Sequence, residues 1–381
     1  MFVKHLKNII VIAIWALAAC KKNSSGPVPL ISSFSPAKGA AFNNVTISGE
    51  HFGYEPSSVN VKFNGSVAFI DSLHDTVIYA RTPMGVTTGK ITVTVQGQTG
   101  TSASDFIVLS GNWTKKSDVP GDPRNTGIAF AINGKGYFAT GHNGGSPTPD
   151  IAEYDPATDL WTVKTPSPIG LESSFCMVIG NKAYIGSGKS FDSGYTSRMW
   201  AYDPALDQWT QKANFPAVPT WGAFGIGIGN VGYAGFGNSK HWWKYDPASD
   251  SWSQKADLPG SNILAWSTGF AFNGKIYAGI SFETSEWWQY DTASDLWTRK
   301  NDFPGNSGFS GSFVINGIPY IAGGGTECWK YDPATDQWTQ LAFYGLRTAG
   351  AAFAIGNNGY YMTGSTNGGW LTKDCWQFSP P

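Results

Sequence analysis

Eleven side chains in this 381-residue sequence have chemistry to offer and stand outside its repeated phrases: Arg124, His142, Glu172, Arg198, Trp221, His241, Trp266, Glu283, Glu327, Arg347 and Trp370. Tryptophan faces stack on the C–H faces of a sugar ring. The hydrogen-bonding groups of arginine, histidine and glutamate, with Asn143 and Asp192 in the same loops, suit its hydroxyls. The same set permits a second chemistry, with Glu172, Glu283 or Glu327 as base at an anomeric centre and Arg124, Arg198 or Arg347 on a substrate carboxylate. Arg124 and Arg347 each precede a tyrosine, Tyr137 and Tyr360, by thirteen residues. They are therefore expected at equivalent positions, exposed for binding. Paired carboxylates, a Gly-x-Ser-x-Gly elbow and a His-Glu-x-x-His pair are all missing from the sequence, which argues against a hydrolase.

The elements that must position these residues announce themselves by repetition. "YDPATDLW" at Tyr154 recurs in variant form at Tyr202, Tyr245, Tyr290 and Tyr331, at spacings of 48, 43, 45 and 41 residues. Upstream of each, and once more at Phe353, an apolar segment, an Asn-Gly or Gly-Asn type turn and a second strand entering at tyrosine form a hairpin. The Tyr-Asp phrase makes another hairpin, its Asp and Pro suiting the turn. Each unit is thus four antiparallel strands, a to d, at the period of a propeller blade. Side chains alternate along a strand, so the Trp and Tyr of each "W-x-Y" share one face, where they fill the gap between neighbouring sheets. Six a-b-c units are followed by only five d strands, and "NWTKK" at Asn112 supplies the sixth. Trp113 is expected to complete the last blade beside Trp376, which removes the open sheet edge.

The phrases "NGKxY" and "YDPxTDxW" across residues 112–381 resemble kelch repeats. One departure is that Gly323-Gly324 alone keeps the glycine pair that usually ends strand b. Residues 28–110 differ in texture, with short alternating strands and, in order, an early Ser-Pro, "ISGEHFG" and "FNG"; this order resembles IPT/TIG domains. The expected architecture is all-β: an immunoglobulin-like IPT/TIG sandwich (28–110) followed by a six-bladed kelch-type β-propeller (111–381) closed by an N-terminal d strand.

The first residues read as an address. Lys4 and Lys7 precede a short apolar core ending in "LAAC", which resembles a bacterial lipoprotein signal (1–19) with Cys20 as the lipidated residue and residues 20–29 as a tether. The resemblance implies a lipid-anchored protein of the bacterial cell envelope, with Lys21 compatible with the outer membrane. Cys176, Cys328 and Cys375 remain; Cys328 and Cys375 occupy equivalent places in different blades, so buried free thiols are expected. A net charge of −1 without a basic stripe excludes bulk attraction to nucleic acid, and no Cys-x-x-Cys pair suggests zinc. No cofactor is expected.

Short, repeated a-b and c-d turns share one end of such a propeller, and the variable d-a and b-c loops share the other, where binding is usually placed. Of 17 tryptophans, five are not explained by Trp15, the d strands or the W-x-Y pairs. Trp221, Trp266 and Trp370 fall on the variable face; Trp242 and Trp287 stay ambiguous. The first expectation is a membrane-anchored protein binding a glycan or a protein partner there. The second is a sugar mutarotase or epimerase, by analogy with bacterial kelch propellers that handle sialic acid. The third, a galactose-oxidase-like copper enzyme, is disfavoured because the propeller has only His142 and His241, two blades apart.

Overall fold

The computed structural model describes residues 26–260, 264–306, 308–366 and 368–381. Cys20 and the signal segment lie outside the described residues. Two compact units divide between Val108 and Leu109. In the first, strands Leu30–Ser35, Asn44–Glu50, Val77–Arg81 and Phe69–His74 form one sheet, and a second sheet is built around Gln98–Val108, Gly89–Val95 and Val59–Phe63. Alternate residues of both, including Val45, Ile47, Val61, Ile78, Ile91 and Val93, make the sandwich core.

The second unit is a ring of six four-stranded sheets. Blade 1 comprises Ile128–Ile132, Lys135–Ala139, Ile151–Asp155 and Leu160–Val163; blade 2, Phe175–Ile179, Lys182–Gly186, Met199–Asp203 and Gln208–Lys212. Blade 3 comprises Ala223–Ile228, Val231–Phe236, Trp242–Asp246 and Ser251–Lys255; blade 4, Thr268–Phe272, Lys275–Gly279, Trp287–Asp291 and Leu296–Lys300. Blade 5 comprises Ser310–Ile315, Ile318–Gly323, Cys328–Asp332 and Gln337–Leu341. In blade 6, Ala351–Ile355, Asn358–Met362 and Cys375–Ser379 are joined by Asn112–Lys116. The a-b turn of blade 1 is Asn133-Gly134 with φ of 52° and 75°, the double left-handed conformation that a two-residue hairpin turn demands. The closing strand pairs antiparallel with Trp113 opposite Phe378 and Lys115 opposite Trp376, so the expected ring closure is observed.

The repeated phrase is a clasp between blades. In blades 1 to 5 the strand-c tyrosine donates its hydroxyl to the last aspartate of the turn, from Tyr154 to Asp159 (2.8 Å) through Tyr331 to Asp336 (2.7 Å). That carboxylate also accepts a backbone N–H just beyond strand d of the preceding blade, as Asp207 does from Thr165 and Asp250 from Ala213. Each d-strand tryptophan donates its indole N–H to a carbonyl at the same place, as Trp209 does to Thr165 (2.9 Å) and Trp297 to Ala256 (2.8 Å). Trp242 and Trp287, ambiguous from sequence, are fully buried between sheets. Cys328 and Cys375 are buried and free; Cys176 is free and half-buried.

The clasp sets a pH window. Burial opposes ionisation of Asp207, Asp250 and Asp295, but the tyrosine hydroxyl and backbone N–H groups outweigh it and hold these carboxyls below their usual range. Their contribution is therefore present above the unfolded-state pKa of about 4 and lost as pH falls through the lower folded values. Burial and the same bonds raise the hydroxyls of Tyr202, Tyr245 and Tyr290. Their contribution is complete below the unfolded pKa of about 10 and lost as pH rises beyond it. Chaotrope midpoints measured from pH 3 to 11 are expected to show a plateau that falls at both ends; midpoints still rising below pH 4 would contradict this.

Candidate functional site

Each strand a begins at the variable face with the same backbone irregularity. Thr126, Ser173, Gly222, Trp266, Phe309 and Ala349 occupy equivalent positions, and all six have φ between 51° and 64°. Five of these are not glycine, in a conformation that costs a side-chain-bearing residue on the order of 1 kcal/mol. The conformation lets the main chain form a belt, hydrogen-bonded at five of the six blade junctions. The N–H of Ser173 donates to Thr126, Gly222 to Ser173, Trp266 to Gly222, Ala349 to Phe309 and Thr126 to Ala349, at 2.9–3.0 Å. The belt rims a mouth of about 130 Å³, which opens on a central cavity of about 380 Å³ lined by strand a of every blade.

The cavity wall is built in tiers, because alternate residues of a strand face the same side. The tier next to the belt is Gly127, Ser174, Ala223, Ser267, Ser310 and Gly350. The hydroxyls of Ser174, Ser267 and Ser310 are occluded from solvent and have no partner within the protein. The next tier is Ala129, Cys176, Gly225, Gly269, Ser312 and Ala352, where Ser312 donates to the Gly269 carbonyl. Deeper still come Ala131, Val178, Gly227 and Ala354. No Asp, Glu, His, Lys or Arg lines either cavity among the described residues. Burial pushes the Cys176 thiol up to about 12, so it is no nucleophile at neutral pH.

Around the mouth runs an arc of five aromatic rings. Tyr195 meets Trp221 edge-on at 5.7 Å, Trp221 meets Trp266 at 4.9 Å, Trp266 meets Phe309 at 4.9 Å, and Phe309 meets Phe282 at 5.7 Å. Two hydrogen bonds fix its centre: the Trp221 indole donates to Asn238 Oδ1 and the Trp266 indole to Ser173 Oγ, both at 3.2 Å. Tyr195, Trp221 and Phe282 are exposed, at 46, 40 and 61 % of their surface, so the arc presents a broad apolar platform to solvent. Tyr195 is held by a small extra sheet of Leu171–Glu172, Lys189–Ser190 and Gly194–Tyr195.

The polar residues expected on this face fare differently. Arg124 and Arg347 do occupy equivalent positions, yet the expectation that they are exposed for binding is corrected. Arg124 is 2 % exposed, donates to Thr148 Oγ1 (2.8 Å) and the Pro120 carbonyl, and pairs with Asp150 at 3.1 Å over the Phe138 ring. Arg347 pairs with Asp374 against the Tyr344 ring. In both, the partner aspartate sits just before strand c, brought alongside only when the b-c loop crosses the blade. Arg198 pairs with Asp192, whose carboxyl is held down to about 2 by that guanidinium and by Ser190 and Ser193. Every arginine of the propeller therefore has a carboxylate partner, Arg299 with Asp302 being the fourth. Glu327 is likewise engaged, accepting from the Trp329 indole (3.0 Å) and the Asn306 N–H (2.9 Å). Asn143 shapes its own turn by accepting from Gly145 and Ser146. His241 pairs with Asp257 at 3.1 Å in an exposed position, and the Glu283 side chain is exposed. Glu172 and His142 are brought together: the largely buried Glu172 carboxylate lies 3.3 Å from Lys189 and 3.9 Å from His142. Trp370 is 77 % exposed, as expected of a binding residue, but lies outside the arc. The three serines, Tyr195, Phe282 and Phe309 were not anticipated; aligning the six a strands on their central residue would have put the serines in one column.

Comparison with known proteins supports this architecture. Residues 29–108 match the IPT/TIG domain family, so the expected domain is present. Over an alignment of 108 positions, covering 26 % of this chain and 28 % of the other, the sequence is 32 % identical to N-acetylneuraminate epimerase of Yersinia enterocolitica. The solved structure of YjhT superposes with a TM-score of 0.59 at 15 % identity, covering 69 % of this chain and 97 % of that one. A protein of unknown function from Bacteroides thetaiotaomicron superposes with a TM-score of 0.51 at 13 % identity, over 93 % of this chain and 98 % of the other. The family match and the two structures, which at these identities speak for the fold alone, agree on an IPT/TIG sandwich followed by a kelch-type propeller.

Proposed function

We propose that this protein binds a glycan on the variable face of its propeller, held at the cell envelope by a lipid on Cys20. The observation that carries the reading is the aromatic arc from Tyr195 through Trp221, Trp266 and Phe309 to Phe282, set beside the mouth of the central cavity. Flat rings offer stacking surface to sugar C–H faces at little entropic cost. A protein partner would use the same platform without needing the cavity. Supporting the anchor are the basic n-region, short apolar core and Leu-Ala-Ala-Cys of the first twenty residues. The test is a glycan array probed with residues 28–381, each hit titrated by tryptophan fluorescence. Saturable binding, with emission shifting as the arc is covered, is expected. A folded protein that binds nothing on the array would refute the reading.

A sugar mutarotase or epimerase is the second reading, favoured by the matching segment of N-acetylneuraminate epimerase and by the Glu172 cluster. Opening a pyranose ring needs a base on the anomeric hydroxyl and an acid on the ring oxygen. Glu172 and either His142 or Lys189 are of the right types, but none of them lines the mouth or the cavity. Saturation-transfer NMR on any sugar that binds distinguishes the two: anomer exchange abolished in Glu172→Gln would establish the enzyme.

A further inference from the structure

We infer that the mouth and central cavity form an end-recognition subsite for an uncharged terminal sugar, while the rest of the chain lies along the aromatic arc; this rests on the glycan-binding reading. Two physical arguments carry it, one from shape and one from charge. The cavity is reached through a mouth rimmed by the main-chain belt, so a chain can enter only by an end; an internal stretch of polymer has no passage. At about 380 Å³ the cavity falls within the range of small-ligand pockets.

The lining contains no Asp, Glu, His, Lys or Arg among the described residues, and all four propeller arginines are already paired. A carboxylate-bearing sugar would shed its water there with no countercharge to meet it, which is strongly unfavourable. A neutral sugar meets a better match. Strand a is the edge strand of every blade, so main-chain N–H and C=O groups without a partner strand face the cavity and can meet sugar hydroxyls. The aliphatic tier of Ala131, Val178, Gly227 and Ala354 lies deeper.

The inference is tested by comparing array glycans that share a neutral terminal sugar with the same chains capped by N-acetylneuraminic acid. Wild type, Trp266→Ala, Ala129→Leu and Ala352→Leu, the last two narrowing the cavity without touching the rim, are compared. Far-ultraviolet dichroism and chaotrope midpoints confirm that each variant is folded. The expected result is binding of uncapped chains, loss on capping, and at least tenfold weaker binding by both cavity variants. If capped and uncapped chains bind alike and only Trp266→Ala matters, the face binds along the chain; the subsite is overturned and the glycan-binding reading stands. A preference for capped chains also overturns the subsite. If no glycan binds wild type, the reading and this inference fall together.

Discussion

Trp113→Ala is expected to destabilise the propeller by about 3 kcal/mol and to release its closing strand. The Trp113 indole donates to the Ala342 carbonyl at 2.8 Å and its ring packs against Phe343, Tyr344 and Phe378 at 5.0–5.1 Å. In blades 1 to 5 the clasp tryptophan sits on a strand tied to its neighbour by a short turn. In blade 6 the d strand has no such tie: its pairing with Cys375–Ser379 joins the two ends of the propeller sequence. A contact between residues 229 apart must meet a large loop-closure entropy, which the strand ladder, the indole hydrogen bond and this ring packing together offset. Blade 6 also lacks the tyrosine–aspartate bond, because Phe378 stands where the other blades have tyrosine. Hydrogen exchange separates the seam from ordinary core loss. In Trp113→Ala, amides of residues 112–116 and 375–379 should lose protection at denaturant concentrations where blade 3 keeps its own. Trp338→Ala, which removes the equivalent bond to Asn301, should lower the midpoint without exposing residues 112–116. Unchanged protection at the seam in Trp113→Ala would show that the ring does not depend on it.

Why the ring was legible in the sequence and the site was not follows from where each is written. The blades repeat, so Tyr154, Asp159 and Trp161 were seen five times over, and a d strand missing at one end and surplus at the other specifies closure. Alternation placed the Trp and Tyr of each repeat on one strand face; the clasp bonds they make to the preceding blade came from the structure. The arginines misled because exposure depends on a partner: Asp150 and Asp374 lie 26 and 27 residues downstream, and nothing in the local pattern pairs them with Arg124 and Arg347. Of the aromatic arc only Trp221 and Trp266 stood out, because its members lie in loops of different lengths from different blades. Phe309 and Trp266 share one register position at the start of strand a, while Tyr195 and Phe282 come from b-c loops. Periodicity reports what all blades share, and binding uses what they do not.

Trp266→Ala is expected to weaken glycan binding by about 2 kcal/mol, roughly thirtyfold, with little change in the fold. Trp266 is the middle ring of the arc, 4.9 Å from both Trp221 and Phe309, and its removal divides the platform in two. It also lines the mouth, so stacking and end recognition meet at this residue. Its φ of 51° makes alanine the informative substitution. Alanine and tryptophan bear the same left-handed strain, so the backbone term cancels and the affinity change reports the ring, whereas glycine would relax the strand and mix two effects. The backbone belt survives, since its bonds from Trp266 run through main-chain atoms to Gly222. Trp266→Phe, which keeps a ring but loses the hydrogen bond to Ser173, should fall between the two. Trp370→Ala supplies the contrast: this tryptophan is more exposed than Trp266 but lies outside the arc, and its loss should cost less than about threefold. Titration of tryptophan emission with one array hit across these variants ranks them directly. Should Trp370→Ala abolish binding while Trp266→Ala binds like wild type, the ligand would rest on the blade 6 loop, and the arc would be packing between blades.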